Sequence, residues 1–303
     1  MNAVPHEPGL REACLARLQA ELHTLPDKPE ETPESTLAAL WHAAAGRPVS
    51  AEIAPTLPLP RLDAAGAQRL QALVDQRLAG APLAHITRRQ RFMGLEMLAG
   101  PQALIPRRET ELLARRAFAL LARRDRGAGA PLVLDACTGS GNVAAALAAL
   151  VPSARVLASD LSEDAVALAH ENLVHLGLAE RVALRAGDLL AAFDDPAFVG
   201  RVDLLTCNPP YISAPRRGTM ADEIAAHEPS LAFDGGPLGV SILMRLIREA
   251  PRFLKPGGWL AFEVGAGQGT PMRKRLLASG DWSEVSTDAD EHGEIRVLSA
   301  QRA

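Results

Sequence analysis

The sequence predicts an α/β fold in which helices cover both faces of a mostly parallel sheet, with a smaller helical region in front of it. Two patterns support this fold class. From residue 106 onward, short apolar runs alternate with helical segments, which is typical of a parallel sheet. Before that, apolar residues recur at helical spacing between prolines. With 303 residues, 48% of them hydrophobic and 22% charged, the chain can form one large and one small globular domain.

The N-terminal region, residues 1–88, is expected to form a small helical domain. Leucine and alanine recur at helical spacing in residues 10–25, 35–45 and 64–78, and the last of these helices should end at Gly80. Three prolines within residues 54–60 exclude a continuous helix there. No group of residues in this region suggests chemistry, so we expect it to recognise a substrate or to cover a site.

Residues 89–105 are predicted to form a β-hairpin that links the two domains, with its turn at Gly94. A helix is expected from about Thr110 to Arg123, at the start of the larger domain, residues 106–303.

Seven short apolar runs in the larger domain are the predicted strands. They are residues 131–136, 155–159, 182–186, 202–207, 259–264, 282–287 and 294–299. Helices are expected at residues 143–150, 163–176 and 238–253. Because no clear helix separates the last two strands, they should form an antiparallel edge of the sheet.

Composition limits the classes of function. Three widely spaced cysteines without a CxxC motif argue against a disulfide framework and against a structural zinc site. The net charge of −4 disfavours a nucleic-acid partner, although the arginines of residues 88–116 form either a local basic patch or solvated edges. No apolar run is long enough for a bilayer, and the N-terminus lacks the pattern of a signal peptide, so we expect a cytoplasmic protein.

The first strand of the larger domain runs into a turn of small residues that opens a helix. This predicted cofactor turn comprises Cys137, Thr138, Gly139, Ser140 and Gly141. In open parallel sheets, ligands bind at the carboxyl ends of the strands, and small residues let the backbone approach them. Neither a dinucleotide GxGxxG motif nor a P-loop is present, which disfavours a phosphate cradle.

Two aspartates follow the next two strands. Asp160 can accept hydrogen bonds from both hydroxyls of a ribose; the alternative is a helix N-cap, a role that Ser162 fits better. Asp188, followed by Leu189, should face an adenine ring, or it could equally be a turn residue. Together with the glycine turn, these residues predict an adenosine cofactor without phosphates, a description that S-adenosylmethionine meets.

The fourth strand leads directly into Asn208, Pro209, Pro210 and Tyr211, the predicted catalytic residues. A planar nitrogen is a poor nucleophile because its lone pair is delocalised. Asn208 Oδ1 and the Pro209 carbonyl can accept hydrogen bonds from the two N–H groups of such a nitrogen. This directs its lone pair at the methyl group of the cofactor. The prolines stiffen the backbone, and Tyr211, the only tyrosine, can stack on the planar group. A proline-rich loop that merely caps a strand is the alternative, but the position beside the cofactor turn favours catalysis.

Cys137 and Cys207 should lie near each other at adjacent strand ends. We interpret both as small packing residues, and a redox role is the alternative.

With these motifs the chain resembles the HemK/PrmC family, which methylates a glutamine side-chain amide of bacterial peptide chain release factors. The resemblance covers nearly the whole chain. The matching stretches are residues 92–94, 104–111, 208–212, 227–239, 254–258 and 263–268.

The resemblance implies a helical N-terminal domain followed by a class I S-adenosylmethionine-dependent methyltransferase domain, with a Rossmann-like seven-stranded sheet. It also implies that residues 137–141, Asp160 and Asn208 contact the cofactor, and that residues 208–211 hold the glutamine of a Gly-Gly-Gln loop. The chain departs from the family pattern in three places. Cys137 replaces a glycine, Leu189 an aromatic residue and Arg108 a proline.

Three further functions remain open beside methylation of release factors. A relative could methylate another protein, or a small amide or amine. An adenine-N6 methyltransferase is disfavoured by the acidic charge balance and by the lack of an extra domain for base flipping. A binding module without turnover would have no chemical need for the Asn208 motif.

Overall fold

The computed structural model describes residues 7–25, 27–124, 129–213, 222–236 and 239–303. The chain forms two compact units. The first comprises Met1–Pro101 and Ala221–Glu228, and the second comprises Gln102–Met220 and Pro229–Ala303. The chain therefore returns briefly to the first unit before it completes the second.

The first unit is helical, as the spacing of its apolar residues predicts. Its helices are Glu7–Glu21, Pro33–Ala44, Ala64–Leu78, Leu83–Thr87 and Asp222–His227. Thr32 and Asp63 cap the second and third helices by accepting hydrogen bonds from backbone N–H groups. Buried leucines from the first three helices, such as Leu18, Leu40 and Leu70, form its core. The last two helices were not predicted, because five or six residues are too few to show a helical period.

The predicted hairpin forms within the first unit. Strands β1 (Gln90–Phe92) and β2 (Leu95–Met97) pair antiparallel. Met93 and Gly94 connect them, both with positive φ, at 50° and 81°. Two such residues make the tight turn whose twist matches that of the paired strands.

The second unit contains a seven-stranded sheet. Its strands are β3 (Leu132–Ala136), β4 (Arg155–Asp160), β5 (Val182–Ala186), β6 (Val202–Cys207), β7 (Leu254–Glu263), β8 (Trp282–Ala289) and β9 (Ile295–Arg302). Their order is β5-β4-β3-β6-β7-β9-β8. The first five strands are parallel, and β9 pairs antiparallel with both β7 and β8, which confirms the predicted antiparallel edge. Strand order reverses between β3 and β6, where ligands of open α/β sheets bind.

Five helices accompany this sheet in the described part of the second unit. They are Thr110–Ala122, Asn142–Leu150, Glu163–His175, Ser241–Phe253 and Gly269–Ser279. The helix expected from residue 238 begins at Ser241, and Leu238 lies outside the described residues. The helix Gly269–Ser279 was missed because proline and three basic residues obscure its pattern. It buries Met272 and Leu276 in the core of the sheet.

Strand β7 begins five residues earlier than predicted. Leu254 pairs with Val202, and the register shifts before Leu204 pairs with Trp259. The Lys-Pro-Gly-Gly sequence between these pairs favours a turn. In the structure it is instead an irregular part of the strand. Within the described ranges, every helix is either too short or too polar to span a bilayer.

Candidate active site

A cavity opens at the carboxyl ends of the central strands of the second unit. It brings together most of the residues predicted to form the site: Cys137, Thr138, Gly139, Ser140, Asp160, Asp188, Leu189, Asn208 and Pro210. Gly141, Pro209 and Tyr211 do not line it.

A backbone hydrogen bond and two glycines determine the conformation of the cofactor turn. The Thr138 N–H donates to the Ser159 carbonyl at 2.9 Å, which joins the turn to β4. Gly139 and Gly141 have positive φ values of 54° and 80°. A Cβ at Gly141 would lie 3.1 Å from the Cβ of Ala169. Gly141 therefore lets two helices pack closely and shapes the turn from behind, while residues 137–140 face the cavity.

Cys137 occupies a position that suits glycine. Its φ of 55° is in the left-handed region, which costs a residue with a side chain about 1–2 kcal/mol. Glycine, which the family pattern has at this position, would adopt this conformation without that cost. The neighbouring Cys207 is fully buried, and burial raises its pKa well above the ordinary value, with the adjacent Cys137 thiol acting in the same direction. A thiol held in its neutral form is a poor nucleophile, which agrees with a packing role.

The strain at Cys137 can be measured. We expect Cys137→Gly to raise the free energy of unfolding by about 0.5–1 kcal/mol, because relief of the left-handed backbone exceeds the greater chain entropy of unfolded glycine. Urea unfolding would measure it. Cys207→Gly is the matched control, since Cys207 lies buried in β6 and should lose stability. Equal destabilisation by both substitutions would contradict strain at Cys137.

Asp160 connects the cofactor turn to the end of β4. Its Oδ2 accepts a hydrogen bond from the Gly139 N–H at 2.9 Å, and its Oδ1 accepts one from the Ser162 N–H at 3.0 Å. Ser162 caps the next helix through the Ala165 N–H, as predicted. Burial raises the pKa of Asp160, and the backbone N–H groups oppose that rise. Each carboxylate oxygen can still accept a second hydrogen bond, so this side chain could hold the hydroxyls of a ribose.

Asp188 lies at the edge of the cavity, but its carboxylate binds an arginine. Both of its oxygens accept hydrogen bonds from Arg245, at 3.1 and 3.0 Å, in a bidentate ion pair. Leu189 beside it is buried, lines the cavity and has a φ of 50°. The apolar side chain of Leu189 is therefore better placed than the carboxylate of Asp188 to contact an adenine ring.

Asp135 also lines the cavity, although it was not among the residues predicted for the site. It lies near the end of β3, is only 1% exposed, and accepts hydrogen bonds from the hydroxyls of Thr138 and Thr206 at 2.6 and 2.7 Å. Burial raises its pKa to about 6, against the effect of the two hydroxyls. It is therefore mostly ionised at neutral pH and attracts a cationic group. The signal was an acidic residue inside an otherwise apolar strand, Leu-Val-Leu-Asp-Ala.

These residues fit S-adenosylmethionine. The cavity offers a buried carboxylate for an ammonium group at Asp135 and a half-buried one for hydroxyls at Asp160. Ser140 Oγ is buried at the same cavity and makes no hydrogen bond within the described residues. A buried hydroxyl without a partner is costly unless a ligand satisfies it.

Asn208 follows the last residue of β6 and lines the same cavity. Its Nδ2 donates to Thr110 Oγ1 at 3.1 Å. Thr110 is the first residue of its helix, and its hydroxyl in turn donates to Glu263 Oε2 at 2.7 Å. With Nδ2 engaged, the Oδ1 of Asn208 remains as the acceptor toward the cavity.

Tyr211 is held by its hydroxyl and its ring. The hydroxyl donates to Glu263 Oε1 at 2.9 Å, and the Arg296 guanidinium lies 6.0 Å from the ring centroid. Burial, followed by the nearby Glu263 carboxylate, raises the pKa of Tyr211 far above its ordinary value. Tyr211 is therefore a neutral hydrogen-bond donor at every physiological pH, which excludes it as a general base.

Three glycines and a glutamine lie against the Asn-Pro-Pro-Tyr motif: Gly235, Gly239, Gly265 and Gln268. The Gln268 amide donates to the carbonyls of Tyr211 and Gly239, each at 3.0 Å, and accepts from the Gly265 N–H at 2.9 Å. A Cβ at Gly235 would lie 2.9 Å from the Pro210 carbonyl oxygen, and one at Gly265 would lie 2.9 Å from the Tyr211 ring. These glycines are needed because the backbone passes so close to the motif.

Comparison with known proteins now identifies the family. A family model for a methyltransferase domain matches residues 133–227. The release factor glutamine methyltransferase of Moorella thermoacetica is 40% identical over 239 residues, covering 78% of this chain and 81% of that protein. The chain belongs to the release factor glutamine methyltransferase family. It is a class I, S-adenosylmethionine-dependent methyltransferase, as the resemblance implied.

Two other similarities give the range of related proteins. The 4-amino-L-phenylalanine/4-methylamino-L-phenylalanine methyltransferase of Streptomyces pristinaespiralis is 39% identical over 215 residues, covering 71% of each chain. The human methyltransferase 10 domain containing protein has a TM-score of 0.51 and 17% identity, and it covers 69% of this chain and 88% of that one. The second similarity concerns the fold alone.

Proposed function

We propose that this chain methylates the side-chain amide nitrogen of a glutamine, in the Gly-Gly-Gln motif of peptide chain release factors. The observation that carries the proposal is the 40% identity to a release factor glutamine methyltransferase, and it agrees with the orientation of Asn208. Its Nδ2 is engaged by Thr110, so its Oδ1 is the acceptor at the cofactor cavity. An amide nitrogen with two protons to donate is the complement of such a site.

Different residues of the cavity would bind different parts of S-adenosylmethionine. Asp135 would hold the ammonium group of S-adenosylmethionine, Asp160 its ribose hydroxyls and Leu189 the apolar face of its adenine. The backbone of residues 137–140 would approach its amino-acid end, with Asp188 and its partner Arg245 at the rim. When bound, the cofactor supplies a methyl group activated by a sulfonium centre.

The chemical contribution of the chain is orientation and electrostatic stabilisation. Asn208 Oδ1 and the Pro209 carbonyl would accept hydrogen bonds from the two N–H groups of the glutamine amide, which localises the nitrogen lone pair and aims it at the methyl group. As positive charge develops on the nitrogen, these two fixed dipoles stabilise it. No base is needed before attack, because the amide proton becomes acidic only once the nitrogen carries the methyl group, and the methylated nitrogen then releases that proton to water.

Pro210 and Tyr211 would support the binding of the glutamine amide. Two successive prolines restrict the backbone that carries the acceptors. Tyr211 would stack on the planar amide. Its carbonyl is bound by Gln268 and its hydroxyl by Glu263.

The partner and the location follow from the same proposal. A release factor is a protein substrate, so the helical first unit would contribute to its recognition. The enzyme would then act in the cytoplasm, on a soluble protein and without direct binding of nucleic acid or membrane.

A small aromatic amine is the second candidate substrate. It is favoured by the relative from Streptomyces pristinaespiralis, whose name gives 4-amino-L-phenylalanine as its substrate and which is 39% identical. An aromatic amine also presents a planar nitrogen with two protons, so the Asn208 acceptor does not distinguish it from a glutamine amide.

Transfer of labelled methyl groups separates these functions. The purified chain is incubated with labelled S-adenosylmethionine and one acceptor at a time: a release factor, the same factor with its Gly-Gly-Gln glutamine replaced by alanine, 4-amino-L-phenylalanine, or nucleic acid. We expect label on the unmodified factor and none on the alanine variant.

Each of the other results contradicts the proposal in a different way. Label on both factors would place the reaction on another residue. Label only on the amine would favour the second candidate, and label only on nucleic acid would indicate a nucleobase substrate. No transfer to any acceptor would leave two functions, methylation of another protein or small molecule and a binding module without turnover.

A further inference from the structure

A buried chain of hydrogen bonds leads away from Asn208. The Asn208 Nδ2 group donates to Thr110 Oγ1, and Thr110 Oγ1 donates to Glu263 Oε2. Thr110 and Glu263 are 2% and 1% exposed. Neither was among the residues predicted for the site, although both lie in stretches that carry the family resemblance.

The direction of these hydrogen bonds is fixed by how many protons each group has. A threonine hydroxyl carries one proton, and an ionised carboxylate can only accept. Because Thr110 gives its proton to Glu263, the same oxygen must accept from Asn208. An Asn amide can donate only through Nδ2, so its oxygen must point the other way.

We propose that Thr110 and Glu263 are positioning residues that fix which end of the Asn208 amide faces the substrate. This inference rests on the proposed function, since it concerns the acceptor that would bind the target amide. If the Asn208 amide were turned over, Nδ2 would face the amide protons of the substrate, and a donor would meet donors. The acceptor would be lost without any change in the shape of the side chain.

The sheet places Glu263 where this role requires it. Strands β6 and β7 are parallel neighbours, and Cys207 pairs with Phe262. The next residues along the two strands are Asn208 and Glu263. Thr110 reaches both of them from the first turn of its helix. Three segments that are distant in sequence therefore meet at one buried point.

The same carboxylate also anchors the far end of the motif. Glu263 Oε1 accepts from the Tyr211 hydroxyl at 2.9 Å and lies 4.0 Å from Arg296 Nη2. Burial raises the pKa of Glu263, while the hydroxyls of Thr110 and Tyr211 and the charge of Arg296 oppose that rise. Glu263 thus receives a hydrogen bond through each of its oxygens, one directing Asn208 and the other holding Tyr211.

Two substitutions at Thr110 test the inference. Thr110→Val keeps the shape of the side chain but removes its hydroxyl, and Thr110→Ser is the matched control that keeps the hydroxyl. We expect Thr110→Val to lower kcat about 10- to 100-fold, because a misplaced acceptor loses orientation, with the Kd for S-adenosylmethionine within about two-fold of wild type. Thr110→Ser should retain kcat within a few-fold.

A second readout needs no substrate. The side-chain amide resonance of Asn208 can be assigned in NMR spectra by its loss in Asn208→Ala. Its protons should exchange slowly with water in the wild type and in Thr110→Ser, and faster in Thr110→Val. Tyr211→Phe is a further control, because it removes the other hydrogen bond of Glu263 and should leave this exchange slow.

The two readouts separate failure of the inference from failure of the proposed function. If the wild-type chain does not methylate a release factor, the proposed function fails, and the exchange of the Asn208 amide still decides its orientation. The inference is overturned if Thr110→Val leaves the exchange slow, or if Thr110→Ser is as impaired as Thr110→Val.

If Thr110→Val does not fold, Thr110→Ala replaces it, because it removes the same hydroxyl from a smaller side chain. We expect faster exchange of the Asn208 amide protons and a kcat at least about ten-fold lower. Wild-type values of both in Thr110→Ala would equally overturn the inference.

Discussion

Replacing Asn208 with alanine is expected to lower kcat by about 100- to 1000-fold. Loss of one preorganised group that stabilises developing charge costs about 2.7–4 kcal/mol of transition-state stabilisation. Asn208 Oδ1 is proposed to accept a hydrogen bond from the target amide N–H, and this interaction strengthens as the nitrogen becomes positive. The effect should therefore fall on kcat more than on substrate binding.

Cofactor binding gives the control for this variant. The cavity keeps Asp135, Asp160 and the cofactor turn when Asn208 is shortened. We therefore expect the Kd for S-adenosylmethionine, measured by calorimetry, to change by less than about ten-fold, which corresponds to 1.4 kcal/mol. Unchanged turnover would refute the role of Asn208. Loss of cofactor binding in proportion to loss of turnover would assign Asn208 to the cofactor alone.

The position of the Asn208 motif could be predicted because the signals for it are local. A run of six mostly apolar residues predicted strand β6 with its observed ends, Val202–Cys207. The motif follows immediately, and parallel strands place their carboxyl ends at one edge of the sheet. The turn at residues 137–141 and Asp160 could be assigned to the same edge on the same grounds.

The groups behind the motif could not be predicted, because their partners are distant in sequence. Thr110 lies 98 residues from Asn208 and 153 residues from Glu263. Each of these residues alone is an ordinary helix-start or strand-end residue. Only the register of β6 and β7 brings them together.

The backbone conformation and the ion pair after strand β5 could not be predicted from the sequence either. Leu189 has a positive φ of 50°, which the sequence does not indicate because leucine rarely adopts that conformation. Asp188 was expected either at the adenine or in a turn, and nothing nearby in sequence indicates Arg245 as its partner, 57 residues away.

The return of the chain to the first unit depends on a group of four buried charges. Glu223, from the short helix Asp222–His227, receives Lys28 Nζ at 2.5 Å and Arg77 Nη1 at 2.7 Å. Arg77 also contacts Glu31 at 2.9 Å. Two cations and two anions thus balance in a region with little solvent exposure. Their pairing offsets the weak tendency of an isolated six-residue segment to form a helix.

Removing one of these charges should be costly. Glu223→Ala leaves Lys28 and Arg77 buried with a single carboxylate, Glu31, between them. Breaking a buried ion pair by deleting one partner costs about 3–5 kcal/mol, because the remaining charge loses its compensation in a medium of low dielectric. We expect a loss of this size in the free energy of unfolding of the first unit, measured by urea unfolding with the fluorescence of the buried Trp41 after Trp259 and Trp282 are replaced by phenylalanine.

Two controls make this expectation specific. Asp75→Ala removes a carboxylate from the same unit, but its ion pair with Arg17, at 2.8 Å, is exposed on both sides. Water screens such a pair, so this variant should be close to wild type. Hydrogen exchange at residues 222–228 distinguishes global loss of stability from local release of this helix.

The pH dependence follows from the charges around Glu223. Although burial opposes it, Lys28 and Arg77 hold the pKa of Glu223 below its ordinary value. Its stabilising contribution is therefore present above the pKa of an unfolded glutamate and is lost as the pH falls through the lower, folded pKa. The difference between wild type and Glu223→Ala should accordingly be constant from pH 6 to 8 and shrink in acid. If Glu223→Ala and Asp75→Ala were equally mild at neutral pH, the four charges would not be what holds this segment in the first unit.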